Sequence, residues 1–302
     1  MLSRKLGASN VQIPEIGLGT WHYGAGPEPL RKGLDSGALF IDTAESYGTE
    51  PAVADAIAGR RERIFLATKV SPNHFRRADV IRAADSSLQR LRTDHVDLYQ
   101  LHEPNEQIPI EETLGTMEEL VDAGKVRFIG VSNFSVAQMQ RAQRAMRKYL
   151  IVSNQVRFNL IDRTICENLL PYCQSKNITV IAYSPLARGF HHITDSDPKN
   201  VLEKLSKATG RTPVQIALNW CLCHERVIVI PKGNSVEHMI ENCGASDWRL
   251  TNDQVRELGE AIVFRRRGRL DAIIRRSLSP EMKKTIQAVA RLMPAPLRRR
   301  LT

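Results

Sequence analysis

Short apolar runs alternate with longer amphipathic stretches along most of the chain. The runs are centred near Ile16, Leu39, Leu66, Leu98, Phe128, Val152, Val180 and Ile228. Runs of this kind predict short buried strands, and their alternation with helical patterns predicts a parallel α/β sheet. Eight such units in about 250 residues are typical of a closed barrel rather than an open sheet. The pattern therefore predicts a single (β/α)8 TIM barrel.

The stretches between the runs place apolar residues at helical spacing. Helices are predicted over Ala78–Leu91, Glu111–Ala123, Ser135–Tyr149, Thr212–Leu222 and Thr251–Val263. Ser135 and Thr251 are predicted N-caps, because their hydroxyls can accept a hydrogen bond from the first turn. No G-x-G-x-x-G follows the first predicted strand, so a Rossmann-type dinucleotide fold is not expected.

A hairpin and a basic segment flank the predicted barrel. Arg4–Leu6 and Gln12–Ile13 predict a small N-terminal hairpin. We expect one barrel domain over residues 1–263 and a basic, helical C-terminal extension over residues 264–302. In the extension, apolar residues recur at helical spacing, which predicts an amphipathic helix: Met282, Ile286, Val289 and Met293.

The net charge of +10 lies wholly in that extension. Residues 264–302 hold 12 Lys and Arg against Asp271 and Glu281, and the remaining residues hold 31 of each sign. A neutral body gives no reason to expect nucleic-acid binding. The predicted helix of the extension packs on the barrel or on a second subunit, or it contacts an anionic membrane surface weakly. We expect a monomer or a small homo-oligomer, and the sequence does not decide between them.

Cysteine usage and hydropathy indicate a cytoplasmic protein. The five cysteines have no framework spacing, which indicates reduced thiols. No apolar run approaches the roughly 18 residues of a membrane span. No metal site is expected, since Cys221 and Cys223 are two apart on a predicted helix and do not face each other. His191 and His192 are interpreted as solvated loop residues.

Titratable residues follow three successive apolar runs. Asp42 ends one run and Tyr47 lies five residues further on, while Lys69 and His102 end the next two. In a barrel of parallel strands these residues meet at the C-terminal mouth. There an ammonium can lower the pKa of a phenol, a carboxylate can hold the ammonium, and an imidazole can orient a reacting oxygen. For His102 alone, a packed core histidine is the simpler interpretation.

Eight short motifs follow one another along the chain: Gly17–Trp21, Asp42–Gly48, Thr68–Val70, Asp97–His102, Gly130–Phe134, Asn154–Gln155, Tyr183–Leu186 and Ile230–Gly233. In this order they resemble the aldo-keto reductase family, and the resemblance covers roughly Arg4 to Leu258. The resemblance implies an NAD(P)H-dependent oxidoreductase that reduces aldehydes and ketones to alcohols. It assigns Asp42, Tyr47, Lys69 and His102 to the catalytic tetrad, with Tyr47 as proton donor.

The resemblance also implies cofactor and substrate positions. Ser132, Asn133 and Gln155 match residues that bind the nicotinamide carboxamide, and Tyr183 matches the ring that stacks on it. Residues along the pyrophosphate and at the adenosine end are Ser184, Leu186, Lys232, Gly233, Ser235, His238, Glu241 and Asn242. Trp21 and His22 are expected to line the mouth, with Phe75 and Trp248 as further candidates. The loops around it are short, so a rather open site is expected.

One position departs from the family pattern and affects the predicted cofactor. His238 stands where NADP-preferring members commonly carry Arg, and a neutral imidazole lacks the bidentate fork of a guanidinium. Lys232 still supplies one charge, so NADP(H) is favoured, with NAD(H) or dual use as alternatives. The competing function is a nucleotide-binding regulatory protein that has this fold and little turnover.

Overall fold

The computed structural model describes residues 1–264, so the predicted basic extension, apart from Phe264, lies outside the described part. Ten strands are formed there: β1 Ser3–Lys5, β2 Gln12–Pro14, β3 Leu18–Gly19, β4 Phe40–Asp42, β5 Phe65–Val70, β6 Val96–Leu101, β7 Val126–Ser132, β8 Ile151–Arg157, β9 Thr179–Tyr183 and β10 Val227–Ile230. The α-helices are α1 Pro27–Asp35, α2 Glu50–Ile57, α3 Arg77–Leu91, α4 Ile110–Asp122, α5 Val136–Ala145, α6 Leu169–Ser175, α7 His191–Thr194, α8 Val201–Thr209, α9 Pro213–Leu222, α10 Val236–Cys243 and α11 Asn252–Ala261.

Strands β3 to β10 pair in chain order, and every one of these pairs is parallel. The ring closes between its first and last strands, where the amide of Gly17 donates to the Val229 carbonyl at 2.8 Å. Next to it, the amide of Gly19 donates to the Pro231 carbonyl at 3.1 Å. A Cβ on Gly19 would lie 2.6 Å from the Ile230 carbonyl oxygen, so this close approach requires glycine. The predicted (β/α)8 barrel is confirmed.

The barrel strands are buried on both faces, which explains why their sequences are apolar runs rather than alternating patterns. Side chains that point inward form one core cluster: Leu6, Ile13, Phe40, Phe65, Ala67, Leu98, Val152, Ile181, Ile228 and Ile230. A second, larger cluster fills the layer between strands and helices. Leu6 and Ile13 belong to the inner cluster because the hairpin covers the N-terminal end of the barrel. There the amide of Gly7 donates to Thr179 Oγ1, at the start of β9, at 2.8 Å.

The predicted hairpin is present: β1 pairs with β2, and the register places Arg4 opposite Ile13. Helix starts are also predicted well, because Ser135, Thr212 and Thr251 each form a capping box with a glutamine three residues later. No helix within residues 1–264 has both the length and the apolar character needed to cross a membrane.

Two predicted elements differ in the structure. Helix α5 ends at Ala145 instead of Tyr149. The amides of Arg147, Lys148 and Tyr149 donate to Glu118 Oε1 at 2.9, 2.7 and 3.1 Å, so a carboxylate on α4 replaces the helical acceptors. The stretch around His191 and His192 was expected to be a solvated loop, but it contains α7 with Ile193 buried beneath it.

Candidate active site

The four predicted catalytic residues come from three neighbouring strands at their C-terminal ends. Asp42 is the last residue of β4, Lys69 lies one residue before the end of β5, and His102 directly follows β6. Tyr47 ends a 3-10 helix, Glu45–Tyr47, in the loop after β4. The fold therefore brings the four residues together at the mouth of the barrel, where (β/α)8 enzymes carry their active sites.

Asp42 and Lys69 form a buried ion pair below the mouth. Nζ of Lys69 lies 2.5 Å from Asp42 Oδ1 and donates a second bond to the Thr43 carbonyl at 2.8 Å. The other carboxylate oxygen, Oδ2, accepts from Nε2 of Gln155 at 2.7 Å and from Nε2 of Gln100 at 3.1 Å. Both oxygens are thus satisfied, which a carboxylate buried to this depth requires.

Tyr47 lies between the ion pair and the imidazole. Its hydroxyl oxygen is 3.4 Å from Lys69 Nζ and 3.4 Å from His102 Nε2. Burial raises the pKa of the Tyr47 phenol above its ordinary value, and the Lys69 ammonium acts in the opposite direction. The predicted lowering by the ammonium is present, but the pKa is raised overall, because desolvation of the phenolate outweighs the nearby positive charge. Tyr47 is consequently protonated at neutral pH and holds a transferable proton.

Lys69 and His102 are held in opposite charge states. Burial lowers the pKa of the Lys69 ammonium, but the Asp42 carboxylate, together with Tyr47, more than compensates, so the pKa is raised and the side chain is cationic. Burial, followed by repulsion from Lys69, lowers the pKa of His102 to about 3. His102 is therefore a neutral imidazole at neutral pH and acts through hydrogen bonds rather than through charge.

The turn that carries Tyr47 is tied to the strand that carries Lys69. Oε1 of Glu45 accepts from the amide of Ser71 at 2.5 Å and lies 2.9 Å from His74 Nδ1. The turn ends at Gly48, whose φ of 69° lies in the left-handed region that favours glycine. The role of Glu45 was not predicted, since a carboxylate inside a motif gives no signal of its distant partner.

A cavity of about 590 Å³ opens above these groups, and most of the predicted site residues line it. The lining includes Trp21, His22, Asp42, Tyr47, His102, Ser132, Asn133, Gln155, Tyr183, Ser184, Leu186, Lys232, His238, Glu241 and Asn242. Lys69 lies beneath the floor with a fully buried side chain. A cavity of this size suits a ligand of cofactor dimensions.

Four predicted residues are placed elsewhere. Gly233 is buried beside the lining, and Ser235 caps α10 by accepting from the His238 amide. Phe75 is 1% exposed and belongs to the outer core, so it does not reach the mouth. Trp248 stacks beneath the Arg211 guanidinium and donates to the Gly244 carbonyl, outside the cavity.

The inner end of the cavity is organised by hydrogen bonds between predicted cofactor residues. The hydroxyl of Tyr183 donates to Asn133 Oδ1 at 3.0 Å, and Asn133 Nδ2 donates to Ser132 Oγ at 3.1 Å. Asn133 adopts a φ of 62° just after β7, a conformation that asparagine tolerates better than most residues. These bonds hold the Tyr183 ring at the cavity wall.

The outer end of the cavity is formed where β10 leads into α10. Ser235 Oγ accepts from the His238 amide at 3.2 Å, and Lys232 Nζ donates to the His22 carbonyl at 3.2 Å. His238 is exposed in the first turn of the helix. An eight-residue helix N-terminus beside a lysine favours a phosphate group. The donor set at this end therefore fits a nucleotide.

Two further residues of the site were missed from the sequence. Gln100 is buried in β6 and holds Asp42. Arg188 lines the cavity, with its guanidinium carbon 4.3 Å from the centroid of the Trp21 ring. The only available signal for Arg188 was its place two residues after the Tyr183–Leu186 motif. Within residues 1–264, no group of three or more His, Cys, Asp and Glu side chains is arranged to hold a metal ion.

Comparison with known proteins identifies the class that this fold and site define. The model of the aldo/keto reductase family matches residues 15–263. Methylglyoxal reductase YeaE of Escherichia coli (strain K12) is 34% identical over 264 residues, which cover 84% of this chain and 93% of that protein. The chain belongs to the aldo/keto reductase family, as its motifs predict, and is an oxidoreductase.

Solved structures agree with this assignment. The thermostable aldo-keto reductase Tm1743, in complex with the inhibitor epalrestat, is 39% identical in sequence and has a TM-score of 0.81. The match covers 86% of this chain and 100% of Tm1743. An aldo-keto reductase from Klebsiella pneumoniae in complex with NADPH is 36% identical with a TM-score of 0.82, covering 88% and 98%. The shared fold extends over the whole described barrel.

Proposed function

We propose that this protein reduces aldehydes and ketones to alcohols with NADPH, and that Tyr47 donates the proton. The observation that carries the proposal is the position of the Tyr47 hydroxyl, 3.4 Å from both Lys69 Nζ and His102 Nε2. A carbonyl oxygen that accepts from Tyr47 there also lies near the imidazole. The arrangement suits general acid catalysis at that oxygen.

The cofactor is proposed to lie along the cavity from Tyr183 to α10. When bound, its reduced nicotinamide supplies the hydride that the carbonyl carbon receives. Ser132, Asn133 and Gln155 would hold the carboxamide, and Ser184 and Leu186 would lie along the pyrophosphate. At the adenosine end we assign Lys232, Gly233 and Ser235, which precede α10, together with His238, Glu241 and Asn242, which lie on it.

Residues of this chain would then donate the proton and stabilise the phenolate that remains. The buried Asp42–Lys69 pair keeps a positive charge beside the phenol, which stabilises the phenolate that forms as Tyr47 loses its proton. The neutral His102 donates from Nε2 to the substrate oxygen when its Nδ1 accepts from Ser46 Oγ, 3.5 Å away. His102 thereby orients the carbonyl without competing with Tyr47 as the acid.

NADP(H) is the proposed preference, with NAD(H) or dual use as the alternative. The Klebsiella pneumoniae structures contain NADP or NADPH, which supports the preference by relationship. Lys232 supplies a cation beside the α10 N-terminus, and His238 faces the same end of the cavity. Neither residue offers a bidentate fork, so the preference for the 2′-phosphate is expected to be modest.

The alternative is a nucleotide-binding regulatory protein with little turnover. Such a protein needs the cavity but has no use for a buried Asp42–Lys69 pair aimed at a tyrosine, since isolated burial of two charges is costly. Asp42, Tyr47, Lys69 and His102 are all present, and each lies within 3.4 Å of another of the four, which favours an enzyme over a regulatory protein.

A carbonyl panel tests the proposal. Aldehydes and ketones of increasing size are each assayed with NADPH and with NADH, following the absorbance of the reduced nicotinamide. Turnover of at least one carbonyl, faster with NADPH, is expected. Cofactor binding without turnover of any carbonyl would favour the regulatory alternative.

Two wider expectations remain proposals. A cytoplasmic setting is supported by five cysteines that are all free thiols.

Weak contact with anionic surfaces is assigned to the basic residues 264–302. Vesicle co-sedimentation of full-length and truncated protein, at low and high salt, tests this assignment.

A further inference from the structure

Three buried threonines form a chain of hydrogen bonds behind the catalytic residues. Thr49 Oγ1 donates to Thr20 Oγ1 at 3.0 Å, and Thr20 Oγ1 donates to the Asp42 carbonyl at 3.0 Å. At the other end of the chain, Thr43 Oγ1 lies 2.9 Å from Thr49 Oγ1. Thr20 and Thr43 are fully buried and Thr49 is 6% exposed, so the three hydroxyls depend on one another for partners.

The direction of the chain follows from the number of hydrogens. A hydroxyl has one hydrogen to donate. Thr49 uses its hydrogen on Thr20, so in the remaining contact Thr43 is the donor and Thr49 the acceptor. Thr49 therefore occupies the middle of the chain. Removal of its hydroxyl would break two bonds, whereas removal of the Thr43 hydroxyl would break one.

Both ends of the chain lie at the Asp42–Lys69 ion pair. The carbonyl of Thr43 accepts from Lys69 Nζ at 2.8 Å. The carbonyl of Asp42 accepts from the amide of Thr20 at 3.1 Å as well as from its hydroxyl. The chain consequently fixes the backbone that carries the carboxylate and that accepts a hydrogen bond from the ammonium.

Thr49 connects this backbone with the turn that carries Tyr47, which lies two residues before it. The other side of the turn is tied to β5, because Glu45 accepts from the amide of Ser71 at 2.5 Å. The turn is thus anchored on both sides of Tyr47. The Tyr47 hydroxyl oxygen is 3.4 Å from Lys69 Nζ, a distance at which a small displacement decides whether a hydrogen bond forms.

The hydroxyl of Thr49 is not used to begin the helix that follows. Thr49 is the N-cap residue of α2, a position where a threonine side chain commonly accepts from an amide of the first turn. The side chains of Ser135 and Thr251 make that bond at α5 and α11, but the side chain of Thr49 does not. Helix capping therefore does not explain this hydroxyl, and its partners are the threonines behind the site.

We propose that Thr49 is a positioning residue for proton transfer, and that its hydroxyl holds the Tyr47 phenol at its distance from the Asp42–Lys69 pair. The proposal rests on the proposed function, since it concerns the proton donor of the same site. Neither Thr49 nor Thr43 lines the cavity, so both act through other residues rather than on a ligand. Substitution of Thr49 should therefore change kcat and leave KM and cofactor affinity nearly unchanged.

The variants Thr49→Val and Thr49→Ser separate the hydroxyl from the shape of the side chain. Valine keeps the branched shape and removes the hydroxyl, whereas serine keeps the hydroxyl. Thr49→Val is expected to lower kcat about 10-fold or more, because a displacement of about 1 Å can cost about 100-fold in rate. Thr49→Ser should retain most of the wild-type kcat. A wild-type kcat in Thr49→Val, or an equal loss in Thr49→Ser, would overturn the proposal.

Thr113→Val is the matched control. Thr113 is also fully buried, and its hydroxyl donates to the Phe75 carbonyl at 2.9 Å, away from the cavity. Thr113→Val should lower the melting temperature and keep the wild-type kcat when assayed well below that temperature. Equal losses of kcat in the two valine variants would show a general effect of losing a buried hydroxyl, and would overturn the role of Thr49.

Thr43→Val replaces Thr49→Val if the latter does not fold. It breaks one bond of the chain instead of two, so a smaller loss of kcat is expected, again with unchanged NADPH affinity. An unchanged kcat in a folded Thr43→Val would contradict the proposal.

NMR of protein with isotope-labelled tyrosine rings supplies a readout that needs no turnover. The chain has 6 tyrosines, and the signal of Tyr47 is identified by its absence in Tyr47→Phe. This signal should shift in Thr49→Val and stay in place in Thr49→Ser and Thr113→Val. If it shifts in this way while the wild type reduces no carbonyl, the proposed function fails and the positioning role stands. An unshifted Tyr47 signal in Thr49→Val would overturn that role.

Discussion

The phenolic oxygen of Tyr47 lies 3.4 Å from Nζ of Lys69. Tyr47 lies in the loop after β4 and Lys69 lies near the end of β5, where Asp42 holds the ammonium at 2.5 Å. Because burial raises the pKa of Tyr47, the phenol is protonated at neutral pH and can donate its proton to a substrate oxygen. Substitution of Tyr47 or of Lys69 should therefore impair catalysis in different ways.

Replacing Tyr47 by Phe should abolish carbonyl reduction. The substitution removes the proton donor and keeps the ring, and general acid catalysis typically contributes about 10²- to 10⁴-fold. NADPH affinity should stay nearly unchanged, since the phenyl ring fills the same space. The checks are single-turnover kinetics and fluorescence titration with NADPH; a variant that retains more than about a tenth of the wild-type rate would contradict the role of Tyr47.

Replacing Lys69 by Met should cost both activity and stability. The Asp42 carboxylate would be left buried without its cation, and breaking a buried pair in this way typically costs about 3–5 kcal/mol. The double variant Asp42→Asn/Lys69→Met should recover much of the free energy of unfolding but no activity. Denaturant unfolding measures the first quantity, and turnover measures the second.

Lys125 supplies the control for that experiment. Its ammonium lies 2.5 Å from Asp85, as close as in the buried pair, but both side chains are exposed. Lys125→Met should therefore change the free energy of unfolding by no more than about 1 kcal/mol. Equal losses for Lys69→Met and Lys125→Met would show that burial of the catalytic pair carries no special penalty.

Replacing Gly130 by Ala should disturb the support of Asp42. A Cβ there would lie 2.5 Å from Ser153 Oγ and 3.1 Å from Gln100 Cγ, and Gln100 donates to Asp42. Overpacking of this kind costs about 1–3 kcal/mol, and displacement of Gln100 should also lower kcat. Adding Ser153→Ala removes the closest atom, so the double variant should recover melting temperature and turnover together.

His102 should make acid conditions destabilising. Its pKa is about 3 in the folded protein against an ordinary value of 6.5, so the unfolded chain binds more protons between these values. The contribution of His102 is complete above pH 6.5 and is lost as the pH falls towards 3. Thermal unfolding of wild type and His102→Gln over this range should show the wild type losing stability faster on acidification. Parallel curves would mean that the pKa of His102 is the same in the folded and the unfolded protein.

Replacing His238 by Arg should tighten NADPH more than NADH. The side chain lies in the first turn of α10 at the outer end of the cavity, and a guanidinium there can bind the 2′-phosphate. A charge-assisted bond of about 1.5–3 kcal/mol should lower the Kd for NADPH about 10- to 100-fold. Glu237→Arg, on an exposed neighbour outside the cavity, is the control; an equal gain for NADPH and NADH would remove His238 from that phosphate.

The ordered motifs and the apolar pattern predict more of this protein than any single residue does. Eight buried runs predict the barrel because parallel strands covered on both faces must be apolar. The position of Asp42, Lys69 and His102 at strand ends follows from the same pattern, because parallel strands end on one side. Helix starts at Ser135 and Thr251 are local, since the cap and its glutamine are three residues apart.

Interactions between distant parts of the chain were outside the reach of the sequence. The end of α5 depends on Glu118, which lies on another helix and accepts from three amides. Gln155, which is proposed to bind the carboxamide, also donates its amide to Asp42 at 2.7 Å, a contact that the sequence did not predict. Such contacts depend on which side chains the closed barrel brings together, and that proximity has no local signal.

The fold, the family and the identity of the four groups at the mouth were all predictable from the order of residues in the chain. Tertiary structure alone decided their charge states, because a pKa depends on burial and on neighbours. Burial outweighs Lys69 at Tyr47, whereas the Asp42 carboxylate outweighs burial at Lys69. The stack of Arg188 on Trp21 likewise joins two loops that are distant in the chain, and it exists only because the ring of strands is closed.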